Sequence, residues 1–425
     1  MQATPHISAL IIALIVCIVL LPISIPLFQL AIVVTVGLLI WRLVDSPSKY
    51  ARIAWIGTIL GMVFLILGTT FFMRGEPPRN DFLPFYLAAK DMGMGHSSYF
   101  SLAAQATQES LAQNQIPMPF IRLPFYALLL RPLASLSYQH AYVVWQTISV
   151  ALFVISGALA TRRYRAAPVA FAWSLPMASA FVRGQDIALI LFVIVVSLYL
   201  FEKRRPLGAG IVLSLCLLKW NLFLALPIFL LTCRSRRLIW GFTIGTVVLI
   251  ALSFIVAGPS WPTQYVALLR YAYITPHLAN MPNLRGMLFG LLSGPAALWI
   301  VVLLSAAVLA LDWIIVARAA SPYYAMAATG VAGILITPHS YAYDCVLLTP
   351  FLVAVAYQSE GRWLRFLAVL LLTPVLSMLL NSSVWHEAGG LSLLLFLALM
   401  AREVVGNSNR ARTNVTPAVG VAHEF

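Results

Sequence analysis

Long apolar segments, separated by short polar connections, run through nearly the whole chain. Of its 425 residues, 61% are hydrophobic and only 9% are charged, against roughly 25% charged residues in a soluble domain. Such a chain has too little polar surface to cover its apolar volume, which excludes a soluble globular protein and a disordered one. Since a helix satisfies its own backbone hydrogen bonds in lipid, the pattern predicts an all-α polytopic membrane protein.

Fourteen segments are apolar enough to form spanning or broken helices. Several are shorter than the ~20 residues that a full span needs, so we expect about 11–14 transmembrane or broken helices. Two short segments on either side of Lys219-Trp220-Asn221 indicate a broken hairpin, because irregular backbone is tolerated where it faces protein or a wet cavity. The segments cover residues 7–22, 25–43, 53–73, 139–160, 167–181, 186–202, 207–218, 221–233, 238–257, 295–317, 322–337, 344–358, 364–380 and 388–402.

The basic residues indicate which connections face the cytoplasm. The net charge is +14, from 27 Lys and Arg against 13 Asp and Glu, and most of the basic residues fall in every second connection. The positive-inside rule assigns those connections to the cytoplasm, so topology explains the charge without a nucleic-acid partner. Both termini are then cytoplasmic, in the inner (plasma) membrane of a cell. The residues assigned to the inside are Arg42, Lys49, Arg52, Arg162, Arg163, Arg165, Lys203, Arg204, Arg205, Arg234, Arg236, Arg237, Arg318, Arg362, Arg365, Arg402, Arg410 and Arg412.

The same pattern predicts one transmembrane domain over residues 1–402. Extra N-terminal helices occupy residues 1–52, and two long connections, 74–138 and 258–294, lie outside. The polar stretch 403–425 is expected to be a disordered cytoplasmic tail. Because loops longer than ~15 residues are uncommon unless they are functional, we expect the chemistry on the extracytoplasmic side.

The first outer connection contains several short helical patterns. Asp81–Met92 predicts a short helix, and 99–114 predicts an amphipathic helix lying on the membrane interface. Phe120–Ser135 is apolar but carries two arginines and two prolines, which favours an interfacial or re-entrant helix over a span.

Asp81 is the first candidate catalytic residue. It opens the motif Asn80-Asp81-Phe82-Leu83-Pro84-Phe85-Tyr86, just beyond the outer end of segment 53–73. A carboxylate there could accept a proton from an attacking hydroxyl, and such general-base help is worth about 10²–10⁴-fold in rate. An N-cap of the following helix is the alternative role. Tyr86, in the same motif, is a candidate substrate contact.

The polar turn at 183–186 holds two more candidates. Arg183 could bind a phosphate and Gln185 could bind a sugar hydroxyl through hydrogen bonds. A simple capped turn, with Asp186 at the N-terminus of the next helix, is equally open.

Lys219 lies in the break of the predicted hairpin, with Asn221 as a nearby candidate substrate contact. A lysine buried among apolar residues needs a counter-charge. An anionic ligand such as a phosphate is the favoured partner, because a broken helix also offers free backbone N–H groups. Asp186 or Asp344 is the alternative partner.

The stretch 337–344 is the densest polar patch between apolar segments. His339 could shuttle a proton or contact a phosphate, and a purely structural role is equally open. Tyr343 and Asp344 are candidate substrate contacts. The chain has no DxD pair, HExxH motif, Walker A loop or dinucleotide fingerprint, so we expect no metal site and no cofactor.

The order and spacing of these motifs resemble the membrane glycosyltransferases of family 87, a branch of the GT-C superfamily. The resemblance extends from Asp81 to about Pro350. It rests on Asp81-Phe82 with Tyr86, Gly95 with Tyr99, Phe125-Tyr126 with Arg131-Pro132-Leu133, Ala141-Tyr142 with Trp145, Gly184-Gln185, Arg205-Pro206 with Ala209-Gly210, Lys219, and His339 with Tyr343-Asp344.

This resemblance implies a GT-C-type bundle and a polyprenyl-phosphate-sugar donor. Known members include a mannosyltransferase, so the family implies a hexosyltransferase that transfers sugar to a lipid or glycan acceptor on the outer face. The transfer would invert the anomeric centre and use no metal. The acid of the first outer loop, here Asp81, would be the catalytic base. Lys219, Arg183 and His339 would be candidates for holding the donor phosphate.

A transporter or flippase of a lipid-linked sugar or anionic lipid is the alternative function. Broken helices with a lysine at mid-membrane fit that class too. Transporters commonly consist of two similar halves, whereas no internal repeat is visible here, and the long first outer connection also favours the enzyme.

Overall fold

The computed structural model describes residues 25–73, 81–93, 120–233, 235–270, 278, 281–288, 294–380 and 386–413. Within these ranges every regular element is helical and there is no strand. The predicted all-α polytopic fold is therefore confirmed. The predicted segment 7–22 and the predicted amphipathic helix at 99–114 lie outside the described residues.

The described elements are nineteen α-helices and two 3₁₀ segments. The 3₁₀ segments are Ser214–Phe223 and Ala342–Leu348. In chain order the α-helices are α1 (Ile25–Asp45), α2 (Ala51–Met73), α3 (Phe82–Gly93), α4 (Pro124–Ala134), α5 (Tyr138–Thr161), α6 (Ala167–Ala172), α7 (Leu175–Val182), α8 (Ile187–Glu202), α9 (Pro206–Leu213), α10 (Leu226–Thr232), α11 (Arg236–Ala257), α12 (Trp261–Leu269), α13 (Leu284–Leu288), α14 (Gly294–Val316), α15 (Pro322–Ile336), α16 (Thr349–Gln358), α17 (Arg362–Leu371), α18 (Val375–Leu380) and α19 (His386–Thr413).

Five stretches in the described part of the chain are long and apolar enough to cross a membrane. Several more helices are as apolar but shorter, as the sequence predicts for a bundle with broken elements. The long stretches are Tyr138–Thr161, Pro206–Phe223, Arg236–Ala257, Ala296–Val316 and Glu387–Ser408.

The predicted hairpin around Lys219, with legs 207–218 and 221–233, corresponds to α9, the 3₁₀ segment Ser214–Phe223 and α10. Gly210 and Gly241 lie where α9 and α11 cross, so closely that a Cβ on either would overlap backbone of the other helix. Both helices therefore begin on the same side of the molecule. The chain between them must run towards the opposite side and come back before α11 begins. Lys219, at φ −137° and ψ 52°, interrupts the helical backbone between the two legs.

Two predicted boundaries need correction. The apolar stretch 167–181 is two helices, α6 and α7, because Pro176 has no N–H to donate to the Ala172 carbonyl and therefore cannot continue the helix of α6. At the break, the Trp173 indole donates a hydrogen bond to the Gly57 carbonyl, 2.9 Å away. The last helix, α19, continues to Thr413, past the predicted end of the transmembrane domain at 402.

Helices α5 and α8 pack side by side and define two ends of the bundle. At one end Trp145 of α5 contacts the turn that precedes α8. At the other end Arg163, just after α5, pairs with Glu202 of α8. We call these the site end and the basic end. The hairpin break at Lys219 lies at the site end, whereas α9 begins at the basic end.

Candidate functional site

The turn at 183–186 is held in place by α5. The Trp145 indole donates to the Gly184 carbonyl at 3.0 Å, and the Gln146 amide donates to the Phe181 carbonyl at 2.6 Å. Gly184 has φ +66°, a conformation that glycine adopts without a Cβ penalty. Phe82 of α3 stacks on the Trp145 ring with centroids 5.5 Å apart, so α3 is attached to the same support.

Asp81 lies directly against this turn. Its backbone N–H donates to the Arg183 carbonyl at 2.7 Å, and its carboxylate Oδ2 accepts a hydrogen bond from the Gln185 amide. Asp81 immediately precedes α3, as an N-cap would, but its carboxylate is bound to Gln185 and not to an amide of that helix. The Gln185 amide therefore fixes the position of the Asp81 carboxylate.

The surroundings of Asp81 make it a stronger base than an ordinary aspartate. Burial raises the pKa of the Asp81 carboxyl above its usual value, because a charged carboxylate is poorly solvated there. The Gln185 hydrogen bond and the positive charges of Arg183 and Lys219 oppose this shift without cancelling it.

Gln185 joins Asp81 to Tyr343. Its amide nitrogen also lies 3.1 Å from the Tyr343 hydroxyl. Its carbonyl oxygen is buried and accepts no hydrogen bond from any residue that the structure describes. A buried acceptor of this kind is costly unless something donates to it.

The 3₁₀ segment Ala342–Leu348 brings Tyr343 and Asp344 to the site. Lys219 forms a buried ion pair with the Asp344 carboxylate, and the other Asp344 oxygen accepts from the Tyr341 backbone N–H at 2.9 Å. The counter-charge of Lys219 thus comes from within the chain. Asp344 is the alternative partner that the sequence offered for Lys219.

A second buried ion pair lies beside the first. Arg122, just before α4, binds Asp186 with both ends of its guanidinium: Nε to Oδ2 at 2.8 Å and Nη2 to Oδ1 at 3.1 Å. Both side chains are almost fully buried. Burial alone would raise the pKa of Asp186, but the positive charges of Arg122 and Lys219, together with the hydrogen bonds to the carboxylate, outweigh it and hold the pKa below its usual value.

Sequence reasoning missed the role of Arg122. The available signal was an arginine in an apolar stretch, which must find a carboxylate if it is buried. That carboxylate belongs to Asp186, which lies at the N-cap position of α8 but makes no side-chain capping hydrogen bond.

The Tyr343 ring lies close to two cations of the site. The Lys219 ammonium is 5.0 Å from the ring centroid and the Arg183 guanidinium is 6.0 Å from it, both within the range of cation–π attraction. Lys219 is buried, whereas Arg183 is exposed. Of these two cations, Arg183 is the one that a ligand from solvent or lipid can reach.

His339 and Asn221 are joined through the backbone. The Asn221 amide donates to the His339 carbonyl at 2.7 Å and to the Thr337 hydroxyl at 3.1 Å, which ties the hairpin break to the stretch after α15. The His339 ring packs edge-on against Tyr341. Burial lowers the pKa of His339 to about 4, so its imidazole is neutral near pH 7.

Tyr86 lies apart from these residues. Its hydroxyl donates to the Leu136 carbonyl at 2.8 Å, and its ring packs against Phe82 and Tyr138. The structure therefore brings together Asp81, Arg183, Gln185, Lys219, Tyr343 and Asp344, with Asn221 and His339 next to them, and places Tyr86 in the aromatic packing of α3 against α5.

The model of glycosyltransferase family 87 matches residues 120–338 of this chain, more than half of its length. The chain belongs to glycosyltransferase family 87. The matched range contains Arg122, the turn at 183–186 and the hairpin with Lys219, whereas Asp81 lies before it. No curated protein and no solved structure gave a significant match to the chain.

Family membership makes this protein a membrane glycosyltransferase, which acts on a sugar donor and an acceptor. The resemblance to family 87 that the sequence motifs indicated is thus confirmed.

Proposed function

We propose that this family 87 enzyme transfers a hexose or pentose from a polyprenyl-phosphate-sugar to a hydroxyl of a lipid or glycan acceptor. The transfer takes place at the site end of the bundle, on the extracytoplasmic face, and inverts the anomeric centre. Asp81 is the general base.

The observation that carries this proposal is the position of the Asp81 carboxylate. Gln185 holds its Oδ2 atom, which leaves Oδ1 to meet an acceptor hydroxyl. The raised pKa of Asp81 strengthens it as a proton acceptor. Around it lie the aromatic ring of Tyr343 and the cation of Arg183, which suit a sugar ring and a phosphate.

In the proposed reaction the acceptor oxygen attacks the anomeric carbon of the donor. A new glycosidic C–O bond forms as the bond from that carbon to the phosphate oxygen breaks, and the polyprenyl phosphate leaves with the electron pair. The acceptor proton passes to Asp81 Oδ1. A single displacement of this kind inverts the configuration.

Arg183 is the best-placed residue to hold the leaving phosphate, because its charge is exposed at the site. Lys219 lies next to Tyr343 and adds positive potential at the phosphate, although its charge is partly balanced by Asp344. His339, neutral near pH 7, can contact the phosphate only as a hydrogen-bond partner. The polyprenyl tail would lie along the apolar outer surfaces of the neighbouring helices.

The test is label transfer from a panel of polyprenyl-phospho-sugars by purified protein in lipid. Asp81→Asn should lower the rate by about 10²–10⁴-fold, because the amide cannot accept the proton. Glu360→Gln, a change of an exposed carboxylate at the basic end, is the matched control and should retain the wild-type rate.

Equal transfer rates in wild type and Asp81→Asn would show that Asp81 is not the general base, although the protein would still be a glycosyltransferase. Movement of the labelled donor across the bilayer without transfer to any acceptor would contradict the proposed reaction and favour a flippase.

A further inference from the structure

A cavity lined by charged and aromatic side chains lies at the basic end, where α5 and α8 end. Its volume is about 450 Å³ and it is open to the surroundings. It is separated from the candidate site by the length of these two helices, since Asp186 precedes α8 and Glu202 ends it. The polar residues that line it are Arg162, Arg163, Tyr199, Glu202, Lys203 and Tyr323.

The charges of this cavity are unbalanced. Arg163 pairs with Glu202, which is the one acid among the lining residues. Arg162 and Lys203 have no carboxylate within ion-pair distance among the residues that the structure describes. The cavity therefore carries two uncompensated positive charges.

Both of these cations lie within cation–π distance of the Tyr199 ring. The Arg162 guanidinium is 5.8 Å and the Lys203 ammonium 5.6 Å from the ring centroid, and Arg162 also donates to the Tyr199 hydroxyl at 3.4 Å. Like charges gathered on one ring repel each other, and an anion between them relieves that repulsion. A guanidinium beside an ammonium is a common set of donors for phosphate oxygens.

The position of the cavity indicates that a phosphate bound there would belong to a membrane lipid. Arg162 follows directly on Tyr138–Thr161, one of the five stretches able to cross a membrane, and Lys203 follows the apolar helix α8. Basic residues at the ends of such helices lie at the level of the lipid headgroups.

We propose that this cavity is a binding site for the phosphate group of an anionic membrane lipid, distinct from the glycosyl-transfer site. Arg162 and Lys203 bind the phosphate oxygens. The Arg163–Glu202 pair, with Arg163 5.4 Å above the Tyr323 ring, forms one wall.

The experiment measures lipid retention by the purified full-length protein with native mass spectrometry, using short-chain phosphatidylglycerol and phosphatidylcholine as probes. Wild type should retain phosphatidylglycerol in preference to phosphatidylcholine. Arg162→Gln and Lys203→Gln should each weaken the binding of phosphatidylglycerol about fivefold. The double variant should weaken it about 25-fold, because the two free-energy losses add. Both residues are at the surface, and the melting temperature of each variant checks that it is folded.

The matched control is Arg236→Gln/Arg237→Gln, which removes two exposed cations at the same end but outside the cavity. It should retain wild-type lipid binding. Equal loss in the control would overturn the proposal in favour of diffuse attraction, as would a wild type without preference for the anionic lipid. Displacement of the lipid by millimolar inorganic phosphate would assign the site to a soluble phosphate instead.

Discussion

At the scale of single residues, the two buried ion pairs organise the site end. Lys219–Asp344 joins the hairpin break to the segment after α15, and Arg122–Asp186 joins the start of α4 to the start of α8. Buried pairs of this kind add little net stability over apolar residues, but an unpaired partner is costly. Their role here is to fix positions.

Lys219→Met should destabilise the protein by about 3–5 kcal/mol, because it leaves the Asp344 carboxylate buried without a counter-charge. Lys219→Met/Asp344→Asn should recover much of that loss, since both charges are then absent. The measurement is unfolding of the purified protein in detergent, for both single variants and the double variant. Additive effects would mean that the pair does not interact.

Gln185 moderates the basicity that burial gives to Asp81. Its hydrogen bond to the carboxylate lowers the pKa of Asp81 and so opposes the effect of burial. Gln185→Leu should therefore raise that pKa further. Because a general base works only when ionised, the acidic limb of the kcat/KM profile should move to higher pH.

The check is a pH–rate profile of wild type and Gln185→Leu. Gln139→Leu, which changes an exposed glutamine on α5, serves as the control and should leave the profile unchanged. An acidic limb that stays in place in Gln185→Leu would separate Gln185 from the proposed base.

At the scale of elements, the crossing of α9 and α11 determines where the hairpin break lies. Gly210 and Gly241 let the two helices approach until backbone meets backbone. This contact is at the basic end. It holds α9, where the hairpin starts, against α11, which follows the hairpin, while the irregular part of the hairpin reaches the site.

Gly241→Ala should destabilise the protein by about 1–3 kcal/mol, because the new Cβ would overlap the Leu207 carbonyl and force the helices apart. Gly406→Ala is the control: no atom lies within 4 Å of its new Cβ, so the change should be neutral or slightly stabilising in a helix. Thermal unfolding of both variants measures the difference. Equal stability of the two would contradict the crossing seen here.

At the scale of the whole molecule, the charges are sorted between the two ends of the bundle. At the basic end Arg162 and Lys203 have no acid partner among the described residues and Arg163 pairs with Glu202, whereas at the site end Arg122 and Lys219 are paired with acids and Arg183 is exposed. Positive charge collects on the cytoplasmic side of membrane proteins, so the proposed orientation has the site end outside.

Cysteine labelling in intact cells tests that orientation. Ser135→Cys, in the exposed turn between α4 and α5, should react with a membrane-impermeant maleimide added from outside. Arg204→Cys, exposed at the basic end, should react only after the membrane is opened. The reverse pattern would place the site on the cytoplasmic side.

Local sequence patterns were sufficient for the helices and for several site residues. Hydropathy predicted the all-α membrane fold, because a single segment in lipid can satisfy its backbone N–H and C=O groups only by forming a helix. The same pattern located the hairpin break at Lys219, and the polar turn at 183–186 and the stretch 337–344 were both visible as interruptions between apolar segments.

Only the tertiary structure decided which of those interruptions meet. Lys219 and Asp344 are 125 residues apart in the chain, and Arg122 and Asp186 are 64 apart, so no local pattern relates them. Their pairing depends on how the helices pack. The sequence shows that a buried charge needs a partner, but the partner is chosen by the packing that brings one carboxylate within reach.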